Sequence, residues 1–278
     1  MSAQFLDIVT TAAIFYIVAA GLLIIFGVMK IINFAHGGFL TIGGYAALVV
    51  TELGLNPWLA LPFAALAGLV IGALVEHFVV RPLYARPLDA ILATWGLGIV
   101  IGQLITIAFG REVQFVQSPV QGATAVLGES YSQYRLILVL GAVLLAAALA
   151  AILQGTRLGL MTRAVIMNES LARGLGINSG LVRFASFSVG SALASLAGAL
   201  ITPLSSVDPN MGVPWLVNAF MLVLVSGTSL VSLGIATLVL GGAQVLISAY
   251  WSPILGSLTI VVLAAVILRI RPQGFARE

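Results

Sequence analysis

Cysteine is absent from this sequence and charged residues are few. None of its 278 residues is cysteine and 8% are charged, against roughly 25% in soluble domains. Without thiols the chain forms neither a disulfide framework nor a thiolate metal site. Its net charge of +3 is too small to indicate nucleic-acid binding. The 61% hydrophobic content and mean hydropathy of +1.17 instead indicate a polytopic membrane protein.

Groups that could carry chemistry inside a membrane are also scarce. The only lysine, Lys30, follows Met29, so the G-x-x-x-x-G-K-[ST] loop that binds nucleotide phosphates is absent. The only histidines are His36 and His77, and no acidic residue falls near the middle of an apolar run. Proton-coupled carriers, serine hydrolases and metalloenzymes need more than this. We therefore expect no catalytic residue, no metal site and no cofactor, and a driving force that comes from another protein.

Long apolar runs dominate the chain. A bilayer core of about 30 Å requires roughly 20 helical residues. Nine runs meet or approach that length, and the second, seventh and ninth are short enough to be tilted, broken or re-entrant. The sequence therefore predicts an all-α helical bundle with about nine hydrophobic segments, within a range of eight to ten, in a single membrane domain, residues 1–278. The runs are 6–28, 37–52, 57–80, 88–109, 134–154, 181–202, 214–229, 231–250 and 254–269.

Basic residues favour one orientation of these spans. If residues 154–180 lie in the cytoplasm, only Arg111 and Arg135 of the twelve basic residues lie outside. Such a bias is a strong topology signal. An odd number of spans then places the N-terminus outside and the C-terminus in the cytoplasm. The basic residues on the inner side are Lys30, Arg81, Arg86, Arg157, Arg163, Arg173, Arg183, Arg269, Arg271 and Arg277.

The loop at 154–180 contains a predicted short helix that starts after Asn168. Asparagine can cap free amides at a helix start, and Gly174 or Gly176 can take the left-handed conformation that ends a helix. Glu169 and Arg173 lie four residues apart, each at the helix end that favours its charge.

One face of this predicted helix is apolar. Met167, Leu171 and Leu175 share it, and the loop offers nothing to cover it. The face either docks into a groove of a partner protein or folds back onto the membrane interface.

The segment INFAHGG at 32–38 separates the first two runs. Asn33 and His36 share a face if the segment is helical. The following Gly37 and Gly38 allow non-helical backbone that lines an aqueous cavity, as in many transporters. The alternative is a cytoplasmic turn.

Two further segments, which we call the echo segments, resemble each other: HFVVRPL at 77–83 and ILRIRPQG at 267–274. Their similarity is too short to establish an internal repeat.

Four segments in order resemble one known family. VMKIINFAHGGFLTIGGYAA at 28–47, RPLYARP at 81–87, NESLARGLGIN at 168–178 and RIRPQG at 269–274 resemble the smaller permease subunit of branched-chain amino-acid ABC importers. The resemblance covers nearly the whole chain. It implies a multi-pass protein of the bacterial inner membrane without its own ATPase site. The implied partners are a second homologous permease, two cytoplasmic ABC ATPases and a periplasmic binding protein, besides membrane lipid.

The resemblance also implies a role for the loop at 154–180, because in ABC importers such a loop docks into the ATPase. Glu169, Ala172, Gly174 and Gly176 match the docking pattern, whereas Ser170 and Leu171 replace its usual Ala-Ala. The ATPase-coupling residues expected here are Asn168, Glu169, Leu171, Ala172, Arg173, Gly174, Leu175 and Gly176.

The solute is less closely defined. Relatives of this kind serve branched-chain amino acids, urea, short-chain amides or aromatic acids. A stand-alone ion-coupled or passive carrier of a small solute is the alternative function. With no charge predicted at mid-span, a solute would meet amides, hydroxyls and helix ends. The residues expected along its path are Asn33, His36, Thr94, Gln103, Asn218, Thr228 and Gln244.

Overall fold

The computed structural model describes residues 2–126 and 128–275, so Arg277 of the orientation argument lies outside the described residues. Within these ranges the chain forms helices and one short hairpin. Helix α3 continues into a π-helical turn, Glu76–Val80, and a 3-10 turn, Arg81–Leu83. The α-helices are α1 Ser2–Met29, α2 His36–Glu52, α3 Ala60–Val75, α4 Pro87–Phe109, α5 Gln133–Gly155, α6 Arg157–Met167, α7 Glu169–Gly174, α8 Ser179–Ile201, α9 Gly212–Ser226, α10 Leu230–Tyr250 and α11 Pro253–Ile270, and the strands are β1 Ala123–Val126 and β2 Glu129–Ser132.

Every predicted apolar run coincides with a helix, which confirms an all-α polytopic bundle. The count of nine crossings is not confirmed. Seven helical stretches in the described residues are long and apolar enough to cross a membrane, whereas α2 and α9 have 17 and 15 residues. The expectation of a short ninth segment was wrong, because α11 has 18 residues and is one of the seven.

Two helices form the centre of the bundle. Helix α1 is apolar on all sides, and 83% of its most apolar window is buried. A helix without a polar face is expected at the centre of its neighbours. Helix α8 packs against it at Gly21 and Gly190, where a Cβ on Gly21 would lie 2.5 Å from the Gly190 carbonyl oxygen. Glycine at both positions therefore allows the two backbones to touch.

The two central helices run in opposite directions. Asp7 near the start of α1 pairs with Arg135 at 3.0 Å, while Leu200 near the end of α8 accepts a hydrogen bond from Tyr134 at 2.7 Å. Both partners lie at the start of α5. We call this side, which carries the β-hairpin, the hairpin end of the bundle. The opposite side, which carries residues 154–180, is the loop end.

The pattern of helix contacts indicates an inverted repeat that was not apparent in the sequence. After α1, residues 30–35 turn back into the bundle before α2 begins, and after α8 residues 205–211 do the same before α9. Helix α3 packs on α8 as α10 packs on α1, and α2 contacts α4 as α9 contacts α11. Units α1–α4 and α8–α11 are thus equivalent but oppositely directed. The two echo segments end α3 and α11, which are not equivalent helices.

Candidate functional site

Helix α7, which we call the loop helix, is defined by its caps. The Asn168 carboxamide oxygen accepts a hydrogen bond from the Leu171 amide at 3.0 Å, which satisfies a donor at the helix start. At the other end Gly176 has a φ of +84°, and the Ile177 amide reaches the Ala172 carbonyl at 3.0 Å. These two bonds limit the helix to six residues. Of the two glycines predicted to end it, Gly176 takes the left-handed conformation.

One side of the loop helix is fixed to the protein and the other is open. Ala172 is buried at 2% exposure against the bundle. Leu171 and Leu175 are 62% and 73% exposed, and Met167 just before the helix is 85% exposed. Leu171 on the helix and Leu175 at its C-terminal end therefore project outward from a capped short helix. Met167 is open as well but is the last residue of α6, so the single helical face predicted for these three residues is interrupted at the extended Asn168. Of the other expected coupling residues, Asn168, Gly174 and Gly176 are exposed as well.

Glu169 of the loop helix makes two ion pairs. Arg173 lies 3.0 Å away within the same helix, as its spacing predicted. Arg183 of α8 forms the second pair, and its side chain is only 14% exposed. The Arg183 guanidinium also stacks over the Tyr84 ring, 4.6 Å from its centroid. Arg183 thus joins the loop helix to the turn that follows α3.

Tyr84 in turn donates a hydrogen bond to Glu76, which is fully buried. Burial raises the pKa of the Tyr84 phenol, and its bond to Glu76 raises it further, although Arg183 and Arg81 oppose the rise. The hydroxyl therefore stays protonated and donates. Sequence reasoning assigned no site role to Glu76, Tyr84 or Arg183. Glu76 and Tyr84 lie on and directly after the α3 stretch, whereas Arg183 lies on α8, so their association depends on packing between separate helices and has no local signal.

The starts of the short helices α2 and α9 meet inside the bundle, at a place we call the junction. The Gly212 amide donates to the Thr41 hydroxyl at 3.3 Å. Gly212 has no space for a Cβ because the Gly37 carbonyl oxygen occupies it. Two broken helices of opposite direction therefore begin at one point.

The junction lies deep in the bundle. The His36 Nε2 atom, at the first residue of α2, is 3.0 Å from the Val18 carbonyl oxygen. Val18 stands eleven residues before the end of α1 at Met29, or about 16 Å along the axis at 1.5 Å per residue. This is close to the middle of a hydrocarbon core of about 30 Å.

Three of the expected path residues gather at the junction. Asn33 and His36 are 2% and 0% exposed, and Asn33 Nδ2 and His36 Nδ1 have no hydrogen-bond partner among the described residues. The Thr94 hydroxyl of α4 accepts from the Phe34 amide at 3.3 Å. Helix α4 therefore holds the irregular segment 30–35 in place.

The other expected path residues lie elsewhere. Gln103 is exposed on α4, Asn218 is half-buried on α9, and Thr228 is exposed in the turn at the loop end. Gln244 on α10 has a buried carbonyl oxygen without a partner in the described residues. Among the described residues, none of these four side chains hydrogen-bonds to a residue of the junction.

Sequence reasoning missed the second irregular segment, 205–211. Together with the start of α9 it lines an open cavity of about 570 Å³. Asp208 caps the segment by accepting from the Asn210 amide at 2.8 Å. The only sequence signal was its position before the short seventh run. The cavity is lined by Ser205, Ser206, Asp208, Asn210, Met211, Val213, Pro214 and Trp215.

A helical bundle in which seven stretches of the described residues could cross a membrane, two short helices begin at its centre and a loop helix is exposed has the architecture of a membrane permease. The chain belongs to the family described as the permease component of branched-chain amino acid transport systems, which matches residues 4–270. Among residues 2–126 and 128–275, no three His, Cys, Asp or Glu side chains are grouped to hold a metal ion.

Curated relatives share this family over most of their length. The high-affinity branched-chain amino acid permease protein LivH of Salmonella typhimurium is 26% identical over 98% of this chain and 94% of its own. A probable LivH of Methanocaldococcus jannaschii is 26% identical over 93% and 87%. BraD of Pseudomonas aeruginosa is 25% identical over 81% and 78%. The fold is also similar to that of PsaBC from Streptococcus pneumoniae in complex with Fab, with a TM-score of 0.51 and 15% identity, covering 96% of this chain and 91% of that one.

Proposed function

We propose that this chain forms the membrane pathway of an importer for branched-chain amino acids or related small polar solutes in a bacterial inner membrane. ATP hydrolysed by two separate cytoplasmic subunits drives the import, and a periplasmic binding protein delivers the solute. The family membership and the names of the relatives support the substrate class. In this assignment the chain carries no ATPase site of its own.

The exposed face of the loop helix is the observation that carries the ATPase assignment. Met167, Leu171 and Leu175 remain open although the helix is capped at both ends and its charges are paired. A helix presenting spaced apolar anchors is suited to a hydrophobic groove on a partner. In this assignment the loop end is cytoplasmic, the N-terminus is outside and the C-terminus is inside.

The junction is the proposed narrow point of the solute path. Asn33 and His36 offer unpaired polar atoms there, and an inverted repeat commonly places solute sites where broken helices meet near the midplane. Amides, hydroxyls and helix starts would contact a zwitterion weakly, which suits passage more than storage.

A second permease of the same fold is proposed to cover α4. The backbone carbonyls of Phe34 and Pro209 approach Gly98 and Gly102 of this helix, and the nearby Gln103 and Asn210 are exposed. Irregular backbone and amide side chains at membrane depth are not tolerated against lipid. A partner there would shield them and enclose the path between the two permeases.

An ion-coupled carrier is the second candidate, because inverted repeats with broken helices also occur in such carriers. Uptake of L-leucine into vesicles containing the assembled complex distinguishes the two. We expect uptake to persist when proton and sodium gradients are collapsed and ATP is supplied inside. Uptake that follows either gradient without nucleotide would instead assign the chain to the carriers.

A further inference from the structure

Glu76 is a fully buried acid that the proposed pathway does not use. It begins the π-helical turn Glu76–Val80, and its Oε2 atom has no hydrogen-bond partner among the described residues. Its other oxygen accepts the hydroxyl of Tyr84. Removing the only hydrogen-bond partner of a buried carboxylate costs free energy, because water cannot replace that partner. The conformation of this turn therefore depends on where Tyr84 lies.

The position of Tyr84 depends on the loop helix. Its ring lies under the Arg183 guanidinium, which is paired with Glu169 at the start of that helix. Arg183 is largely buried, so water screens this pair less than it screens a surface pair. A displacement of the loop helix must carry Glu169 with it and either move Arg183 or break the pair.

The π-helical turn also contacts the helices that frame the path. It packs on α4 and α8, and the following 3-10 turn packs on α4 as well. Thr94 lies two turns after the start of α4 at Pro87. Its hydroxyl accepts the Phe34 amide of the irregular segment at the junction. Single turns of π-helix are rare and are frequently found at functional sites.

We propose that Arg183, Tyr84 and Glu76 are positioning residues that transmit a displacement of the loop helix to the π-helical turn and thereby to α4 and the junction. This inference rests on the proposed docking of an ATPase at the loop helix. The three residues then couple nucleotide hydrolysis to solute passage without contacting the nucleotide or the solute. Tyr84 is the central link because it contacts both other members.

Tyr84→Phe is the sharpest test, since it removes only the hydroxyl and keeps the ring beneath Arg183. Tyr134→Phe is the matched control. Tyr134 is also buried and donates one hydrogen bond, to the Leu200 carbonyl, but lies at the hairpin end. Both variants are purified as the complete complex, and three quantities are measured: the amount of bound ATPase, basal ATP hydrolysis, and its stimulation by L-leucine-loaded binding protein.

We expect Tyr84→Phe to retain its ATPase and basal hydrolysis but to lose stimulation by about tenfold, in the usual range of coupling between sites. Tyr134→Phe should change stimulation by less than about twofold. Glu76→Met, which keeps the length of the side chain but removes the oxygen that accepts from Tyr84, should give the same loss as Tyr84→Phe. The double variant should be no worse than either single variant, because both substitutions remove the same interaction.

Three results would overturn the proposal. The first is unchanged stimulation in Tyr84→Phe. The second is a double variant in which the two losses multiply. The third is failure of both single variants to accumulate in the membrane, which would assign the cluster to stability alone. If the wild-type chain itself binds no ATPase or shows no stimulation, the proposed function fails first. If the wild-type chain couples normally and one of these three results is obtained, only the positioning role is lost.

Discussion

Replacing Leu171 with aspartate tests the proposed docking of the loop helix. Leu171 is the third residue after the Asn168 cap, and its backbone amide donates to that cap at 3.0 Å. An acid in the first turn of a helix is favourable. Leu171→Asp keeps the backbone donor and should leave the helix intact. The change is therefore confined to the exposed apolar face.

The expected magnitude follows from the exposure of the leucine. Burying a whole leucine side chain contributes about 1.5 to 3 kcal/mol. Since 62% of Leu171 is open before docking, its burial in a partner groove contributes about 1 to 2 kcal/mol. An unpaired carboxylate in that groove adds a further desolvation cost. We therefore expect the ATPase to bind at least about tenfold more weakly, since 1.4 kcal/mol corresponds to that factor.

Leu181→Asp provides a matched control. Leu181 occupies the third position after an asparagine cap, with its amide 3.0 Å from Asn178, and is 58% exposed. It lies at the start of α8, outside the proposed docking face. Co-purification of the ATPase with a tagged chain should fail for Leu171→Asp and persist for Leu181→Asp, with both variants inserted at normal levels. If Leu171→Asp retains its ATPase and stimulated hydrolysis, the loop helix is only a surface feature.

Two further predictions concern topology and the junction. In this chain without cysteine, Gln121→Cys near the β-hairpin and Gly174→Cys in the loop helix, both exposed, should react with an impermeant maleimide from opposite sides, Gln121→Cys from outside. Labelling of both from one side would refute the orientation. Thr94→Val removes the acceptor of the Phe34 amide and should cost about 1 to 3 kcal/mol at the junction, reducing L-leucine uptake with assembly unchanged. Thr106→Val, which loses only a bond within α4 to Gly102, is its control, and equal uptake by the two variants would exclude a special role for Thr94.

Features that depend on neighbours in the chain were predictable from the sequence. The apolar runs became helices because hydrogen bonds within a helix satisfy its backbone wherever the helix lies in a bilayer. The loop helix begins after Asn168 and ends before the left-handed Gly176 because both caps act through residues at most five positions apart. The pair Glu169 and Arg173 likewise follows from four-residue spacing.

Features that depend on packing between distant segments were decided only by the tertiary structure. Helices α2 and α9 are apolar, as the full-length spans are. They nevertheless begin in the middle of the bundle because α1 and α8 are followed by segments that turn back into it. The inverted repeat is visible only in the contacts between helices. Many different apolar sequences can make the same contacts, so the repeat leaves no pattern in the sequence. Likewise, Arg183 meets Tyr84 and Glu169 only because α8 begins beside the end of the α3 stretch. The sequence determined which segments are helical and how the loop helix is capped. The packing of α1 against α8 determined how deep each helical segment lies in the bundle, which way it runs and which buried contacts it makes.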